Sequence, residues 1–153
     1  MSGAVGGMDW SEYTQIRRFV ELGTGGALAF MVGGATEVAA VAGQLRRDGF
    51  RVESVDVAAR SGGWGVTVAR RVRVAVDRLC ADLVVVTGFD AVRTGRAVTV
   101  LDGLNLNRDA IIGRGCPVLI VAPGPVIDRF ARDAPDLWSV RSHVFDFTEG
   151  GTA

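Results

Sequence analysis

Three short apolar runs, widely spaced along the chain, constrain its fold more than any other feature. They are Ala27 to Val32, Asp82 to Thr87 and Cys116 to Val121, each followed within two residues by glycine or proline. Runs of this length without polar alternation are typical of strands that are buried on both faces. Such strands need helices on both sides of a sheet, which favours an α/β protein with parallel strands.

Segments with helical or alternating periodicity fill the intervals between these runs. Apolar residues at helical spacing predict helices over 12–22, 36–47, 66–79, 97–112 and 126–132, with a further turn from Pro135. We expect Ser11 and Thr36 to cap the first two helices. Alternating residues predict a second strand over 50–57 and an edge strand over 142–147. The complete pattern predicts a three-layer α/β/α sandwich with a mostly parallel five-stranded sheet.

The length and the charge of the chain indicate one neutral domain. With 153 residues it is long enough for one hydrophobic core, which we expect over residues 10–147, between a disordered tail at 1–9 and a second tail at 148–153. The 17 arginines balance 17 acidic residues, so neither nucleic acid nor an anionic membrane is an expected partner. A neutral, apolar surface favours association, so we expect a protein partner or a homodimer.

The cysteines and the apolar stretches predict a cytoplasmic protein. Cys80 and Cys116 are expected to be small buried hydrophobes and not a disulfide framework. The longest apolar stretch, 25–43, is interrupted by Thr36 and Glu37 and is therefore not a membrane span. No basic segment precedes an apolar core at the start, so no signal peptide is expected.

A glycine turn after the first predicted strand is the leading candidate for a ligand site. In open α/β sheets ligands bind at the carboxyl ends of the strands, where Gly33, Gly34, Ala35 and Thr36 stand. Backbone N–H groups at the start of a helix can hold an anion there. The chain has no lysine and no GxxxxGK[ST] motif, so it lacks the ammonium that contacts nucleotide phosphates in a P-loop. A simple tight turn and an anion site both stay open.

Three charged residues in the following loops are further candidates for ligand contacts. If the glycine turn is an anion site, we expect Arg60 or Arg93 to assist it, because arginine can bind phosphate bidentately in place of lysine. Asp90 is separated from its strand by Thr87-Gly88-Phe89, which displaces it from the position at which a Walker B carboxylate helps to hold Mg²⁺. We therefore expect no catalysis, no metal and no cofactor. The single histidine, His143, is given no catalytic role, because the chain has no GxSxG motif.

Trp64 lies within the glycine-rich stretch Ser61 to Gly65. A tryptophan flanked by glycines can anchor a partner, because tryptophan is enriched at binding hot spots. It can equally fold back onto the sheet as part of the core. The sequence favours neither interpretation.

The last third of the chain carries the most specific motifs. They are Leu104-Asn105-Leu106-Asn107-Arg108-Asp109, the strand Pro117 to Val121, the stretch Ala134-Pro135-Asp136-Leu137-Trp138-Ser139-Val140-Arg141-Ser142, and Val144 to Phe147. Together they resemble a segment of bacterial STAND-type P-loop ATPase regions, in which LN-x-x-RD lies on the helix before the fourth strand and APDLWS-x-RS leads into the last strand. The likeness covers about residues 26–147.

The resemblance implies a P-loop NTPase-like fold without hydrolysis. The STAND pattern has Lys-Ser/Thr in its first turn and an acid at the end of the Walker B strand, and this chain has neither and ends just after the fifth strand. The resemblance therefore implies a non-catalytic adaptor or sensor domain that contacts other proteins of a bacterial signalling or defence system. The alternative is a regulatory module that binds a nucleotide or another anion without hydrolysing it.

Five residues of these motifs are candidates for protein contacts or for structural latches: Arg108, Asp109, Asp136, Trp138 and Arg141. We expect Asp136 or Arg141 to hold the last helical turn against the sheet, with Trp138 packed beneath it. Arg108 and Asp109 are adjacent and point in different directions, so they are not expected to pair with each other. Charged residues at the ends of packed elements favour the latch interpretation.

Overall fold

Parallel strands form the sheet in the part of the chain that the structure describes. The protein is represented by a computed structural model that describes residues 9–23, 26–56, 70, 71, 73–75, 77, 79–89 and 115–147. The strands are β1 (Ala27–Val32), β2 (Val52–Asp56), β3 (Leu83–Thr87), β4 (Pro117–Ala122) and β5 (His143–Asp146). The helices are α1 (Trp10–Leu22), α2 (Ala35–Arg47), α3 (Gly124–Asp133) and α4 (Pro135–Ser139).

The order of the strands is β2-β3-β4-β1-β5, and every pair is parallel. The chain leaves β1 toward the far edge at β2, and it leaves β4 in the other direction, across β1, to reach β5. Because parallel crossovers are right-handed, these two connections lie on opposite faces of the sheet. The α/β sandwich and the parallel five-stranded sheet predicted from the sequence are confirmed.

Alternate residues of each central strand pack into two separate cores. Leu28 and Phe30 of β1 belong to the core beneath α3 and α4. Ala29 and Met31 belong to the core beneath α1 and α2. Burial on both faces explains why β1, β3 and β4 are continuously apolar, which was the signal that identified them in the sequence.

The residue that caps α1 differs from the predicted one. Asp9 caps α1, because its Oδ1 accepts a hydrogen bond of 3.1 Å from the Glu12 backbone N–H. Ser11, the predicted cap, lies inside the helix. Because Asp9 caps α1, it belongs to the folded domain and not to the predicted tail at residues 1–9. Aspartate and serine are comparably good caps, so composition alone does not separate them.

The strand and helix bounds agree with the predictions to within a few residues. The strand predicted over 50–57 is described as β2 from Val52 to Asp56, and the last predicted strand begins at His143. The turn predicted from Pro135 is α4. The described residues between 70 and 77 are helical, as predicted for 66–79. The helix predicted over 97–112 lies outside the described residues.

The two cysteines have different environments, and the prediction for one of them was wrong. Cys116 is buried, and this burial raises the pKa of its thiol to about 11. Cys80 is exposed and has a φ of 53°. That left-handed conformation is typical of a chain reversal, which turns the side chain out of the core that the helical pattern predicted for it.

A polar contact joins the first two helices. The Tyr13 hydroxyl donates a hydrogen bond to Asp48 at the C-terminal end of α2. Asp48 also accepts hydrogen bonds from Gln44 at 3.1 Å and from Arg17 at 3.3 Å. The Tyr13 hydrogen bond is the main cause that lowers the pKa of the Asp48 carboxyl, and burial together with this carboxylate raises the pKa of Tyr13.

We predict that Phe30→Ala lowers the free energy of unfolding by about 3–5 kcal/mol, because a fully buried aromatic ring is lost from the core. The Phe30 ring centroid lies 4.8 Å from that of Phe130 and 4.9 Å from that of Trp138. Urea unfolding followed by circular dichroism measures the loss. Leu22→Ala is the control, because Leu22 is 77% exposed and its removal is expected to change stability by less than about 0.5 kcal/mol.

We also predict that Tyr13→Phe weakens the dependence of stability on acid pH. The pKa of Asp48 is lower in the folded protein than in the unfolded chain, so its contribution is present above the unfolded pKa and is lost as pH falls through the folded pKa. Melting temperatures between pH 2 and pH 6 measure this slope. Thr14→Ala removes a hydroxyl that donates to the Trp10 carbonyl at 2.8 Å and not to Asp48, so this variant should keep the wild-type slope; an equal change in both variants would contradict the assignment.

Candidate functional site

A cleft of about 340 Å³ lies at the carboxyl ends of β1 to β4, on the face covered by α2. It is placed where the connections from β1 and β4 leave in opposite directions, which is the point where open α/β sheets bind their ligands. Its volume is within the range of small-molecule sites. The lining residues come from the β1–α2 turn, one side of α2 and the strand ends: Gly33, Gly34, Ala35, Val38, Ala39, Ala42, Arg46, Ser54, Asp56, Thr87, Gly88, Val121, Ala122 and Pro123.

The turn from β1 into α2 is short and tightly packed. The Gly33 N–H donates to the Ala122 carbonyl at 3.1 Å, which extends the pairing of β1 with β4 by one residue. A Cβ atom on Gly33 would lie 3.3 Å from the Glu37 Cβ and 3.4 Å from the Met31 Cε. A larger residue at position 33 would therefore need the Glu37 and Met31 side chains to shift by a few tenths of an ångström.

Glu37 closes the N-terminus of α2, where the sequence predicted a Thr36 cap. The Glu37 Oε1 accepts a hydrogen bond of 2.6 Å from the Gly34 backbone N–H. Thr36 lies exposed in the first turn, because the helix begins at Ala35 and its cap position is Gly34, two residues before the predicted cap. A glutamate three residues after the cap position reaches back to the cap N–H in this way in many helices.

This carboxylate changes what the turn can bind. It uses the N–H of Gly34 and places a negative charge at the positive end of the α2 dipole. A phosphate at the same place would lose this donor and would stand close to a like charge, which is unfavourable near a protein surface. The structure therefore brings Gly33, Gly34 and Ala35 to the cleft, whereas Thr36 does not line it, and the Glu37 carboxylate lies at the Gly34 N–H.

The floor of the cleft presents polar groups from two neighbouring strands. Ser54 and Asp56 of β2 are exposed on the α2 face, and Asp56 pairs in register with Thr87 at the end of β3. Asp56 was not among the predicted site residues. The available signal was its alternation with Val55 at the end of a predicted strand, which placed it on the polar face at the ligand-binding edge.

Arg46 lies at the other end of the cleft. Its Nη2 donates a hydrogen bond of 2.8 Å to the carbonyl of Val52, the first residue of β2. The bond spans from the last turn of α2 to the edge strand and holds the guanidinium beside the cleft. Arg46 was not among the predicted site residues either, because its contact with Val52 depends on how α2 packs on the sheet.

The residues around Trp138 form a second group, at the opposite end of the sheet. The Arg141 guanidinium lies 4.1 Å above the Trp138 ring and donates to the Trp138 carbonyl at 2.8 Å. The Ser142 hydroxyl donates to the Leu28 carbonyl at 3.0 Å, near the start of β1. Asp136 is exposed in the first turn of α4. These contacts fasten the α4–β5 connection to the sheet, and they are separate from the cleft.

The remaining candidates lie outside the described residues or away from the cleft. Those outside are Arg60, Trp64, Asp90, Arg93, Arg108 and Asp109. His143 is exposed at the start of β5, where its ring stacks on Phe145 with centroids 5.2 Å apart. It therefore lies at the amino end of the strands, opposite the cleft.

The described residues contain no group of three or more His, Cys, Asp or Glu side chains that could hold a metal ion. Among the helices that are described, none combines the length and the apolar character needed to cross a membrane. Comparisons with protein-family models, with curated proteins and with solved structures found no match to this chain. The site is therefore interpreted from its own geometry.

We predict that Trp138→Ala lowers the free energy of unfolding by about 2–3 kcal/mol, because a half-buried ring is lost from its contact with Phe30. Arg141→Ala should cost about 0.5–1 kcal/mol, the usual range for an exposed cation–π contact. Urea denaturation measures both. Arg132→Ala is the control, since its side chain is 70% exposed; a loss as large as that of Arg141→Ala would show that the stack contributes nothing specific.

Proposed function

We propose that this protein is a non-catalytic adaptor or sensor domain that binds other proteins of a bacterial signalling or defence system. On this proposal the fold derives from a STAND-type P-loop NTPase that lost its hydrolysis motifs. The motifs in residues 104–147 support the relationship, and the absence of lysine supports the loss of hydrolysis.

The contact between Glu37 and Gly34 is the observation that carries this proposal. In a P-loop the turn after the first strand offers its N–H groups to phosphates. Here Glu37 accepts the hydrogen bond of the Gly34 N–H at 2.6 Å. The turn therefore supplies its own anion, and this argues against an ATPase cycle in which that position binds and releases phosphate.

The end of β3 supports the same conclusion. The residues after Val86 are Thr87, Gly88 and Phe89, so no acid follows the strand directly. Phe89 is buried, and its ring centroid lies 5.5 Å from that of Phe130. The chain thus turns into the core beneath α3 at the position where a carboxylate would be needed for a metal–nucleotide complex.

Large apolar side chains on the surface favour a protein partner. Trp10 is 54% exposed, and Leu22, Val140 and Val144 are exposed as well. The chain has no net charge to keep its copies apart. A homodimer or a complex with another protein would remove these side chains from water.

A second candidate is a regulatory module that binds a nucleotide or another anion without hydrolysis. The position of the cleft at the carboxyl ends of β1 to β4 favours it. In this candidate the anion displaces Glu37 from the Gly34 N–H, and Arg60 or Arg93 contributes a guanidinium.

We predict that the wild-type protein neither hydrolyses ATP or GTP nor gains thermal stability from them in the presence of Mg²⁺. Glu37→Gln removes the charge and keeps a hydrogen-bond acceptor, and Glu37→Ala removes both. We expect a gain of several degrees with ATP or ADP in Glu37→Ala, and a smaller one in Glu37→Gln, because ligand binding to the folded state raises its stability. Differential scanning fluorimetry and phosphate release measure these outcomes.

The matched control is Glu21→Gln, which also removes one exposed carboxylate, on α1 beside Arg17. It should behave as the wild type. Turnover of ATP by the wild type that is abolished by Asp90→Ala would overturn the non-catalytic proposal. Nucleotide binding by the wild type without turnover would instead support the second candidate.

A further inference from the structure

The cleft carries opposite charges at its two ends. Arg46 lies at one end, beside the first residue of β2, and Asp56 lies at the other, at the last residue of the same strand. A strand rises about 3.3 Å per residue, so the backbone positions of Val52 and Asp56 are about 13 Å apart. The cleft is therefore elongated along β2 and dipolar.

The wall between the two charges is apolar and made of small side chains. Val38, Ala39 and Ala42 form it, on the side of α2 that faces β2. The floor opposite carries the hydroxyls of Ser54 and Thr87. Such a surface can take small apolar groups on one side and hydrogen-bonding groups on the other, which is how pockets for polar ligands are usually built.

Each end has a group suited to one terminal charge of a ligand. A guanidinium has five N–H donors, and the bond to the Val52 carbonyl orients that of Arg46. A carboxylate accepts several hydrogen bonds at once. Asp56 can therefore bind a cationic group in addition to the contact that it already makes. The neighbouring Thr87 hydroxyl and the carbonyl ends of the strands also favour a donor at that end.

We propose that this cleft binds a short peptide of three or four residues, with its amino terminus at Asp56 and its carboxyl terminus at Arg46. Three extended residues span about 10 Å, and the side chains of Arg46 and Asp56 bridge the remaining distance. The inference deepens the sensor function proposed above and rests on it, because it names the sensed ligand. The Glu37 carboxylate agrees with it, since it disfavours a phosphate beside the same cleft.

The first test uses trialanine as the probe, with the full chain, at pH 6.5. Two-dimensional ¹H–¹⁵N NMR spectra are recorded during titration with trialanine, N-acetyl-trialanine or trialanine amide. We expect saturable shifts at the amides of Ala39, Ala42, Ser54 and Thr87. Blocking either terminus should weaken binding at least about tenfold, because each cap removes one charge-assisted contact.

Variants at the two ends assign each charge to its partner. Asp56→Asn should bind trialanine and the N-acetyl peptide equally weakly, and Arg46→Gln should bind trialanine and its amide equally weakly. Arg47→Gln is the control, because Arg47 is an exposed neighbour that bonds to Gln44 at 2.9 Å; it should keep the wild-type preferences. The same spectra show that each variant is folded, and Arg46→Ala, which also removes the charge, serves if Arg46→Gln is not.

Two outcomes would overturn the inference. One is the absence of saturable shifts with trialanine in the wild type, and the other is binding that neither cap weakens. Both are independent of the ATP and phosphate-release measurements, so a failure of the peptide inference leaves the non-catalytic proposal standing. Turnover of ATP would remove that proposal even if trialanine bound.

Discussion

The arrangement of the protein depends on the position of β1 inside the sheet. β1 pairs with β4 on one side and with β5 on the other, and its alternate residues enter both cores. Because the chain leaves β1 in one direction and crosses it again in the other, α2 and α3 must lie on opposite faces. This placement opens the cleft at the carboxyl ends of the strands, and the stack of Arg141 on Trp138 lies toward the other end of the sheet.

The short turn after β1 decides the chemistry of that cleft. Within the first turn of α2 the Glu37 side chain reaches back to the Gly34 N–H. The positive end of the helix dipole is thereby neutralised by the protein itself. The strand ends of this architecture suit a phosphate, but the Glu37 carboxylate beside them disfavours one. This is why the proposed function does not include the hydrolysis of a nucleotide.

Local patterns predicted most of the elements but not the contacts at their ends. The apolar runs of β3 and β4 were recognisable because burial on both faces leaves no polar alternation. The caps at Ser11 and Thr36 were wrong, since several residues near a helix start can cap it and the choice depends on where the first turn packs. Cys80 was expected inside the core, but a chain reversal with a φ of 53° turns it outward.

The location of the candidate site was predicted from the sequence, but two of the residues that form it were not. The rule that ligands bind at strand ends identified Gly33 to Thr36, and of these residues Gly33, Gly34 and Ala35 line the cleft. Arg46 and Asp56 were missed because no spacing along the chain relates them; α2 and β2 bring them to the two ends of one groove only after folding. The resemblance to STAND-type regions likewise directed attention to Trp138 and Arg141, which contact each other away from that groove.

By itself the sequence determined the fold class, because the spacing of apolar residues specifies which segments must be buried on one face or on both. It also determined that P-loop lysine chemistry is absent, since the residue is not present. Only the tertiary structure decided the order of the strands and the dipolar cleft between Arg46 and Asp56. Both arise from contacts between residues distant in the chain, which periodicity does not encode.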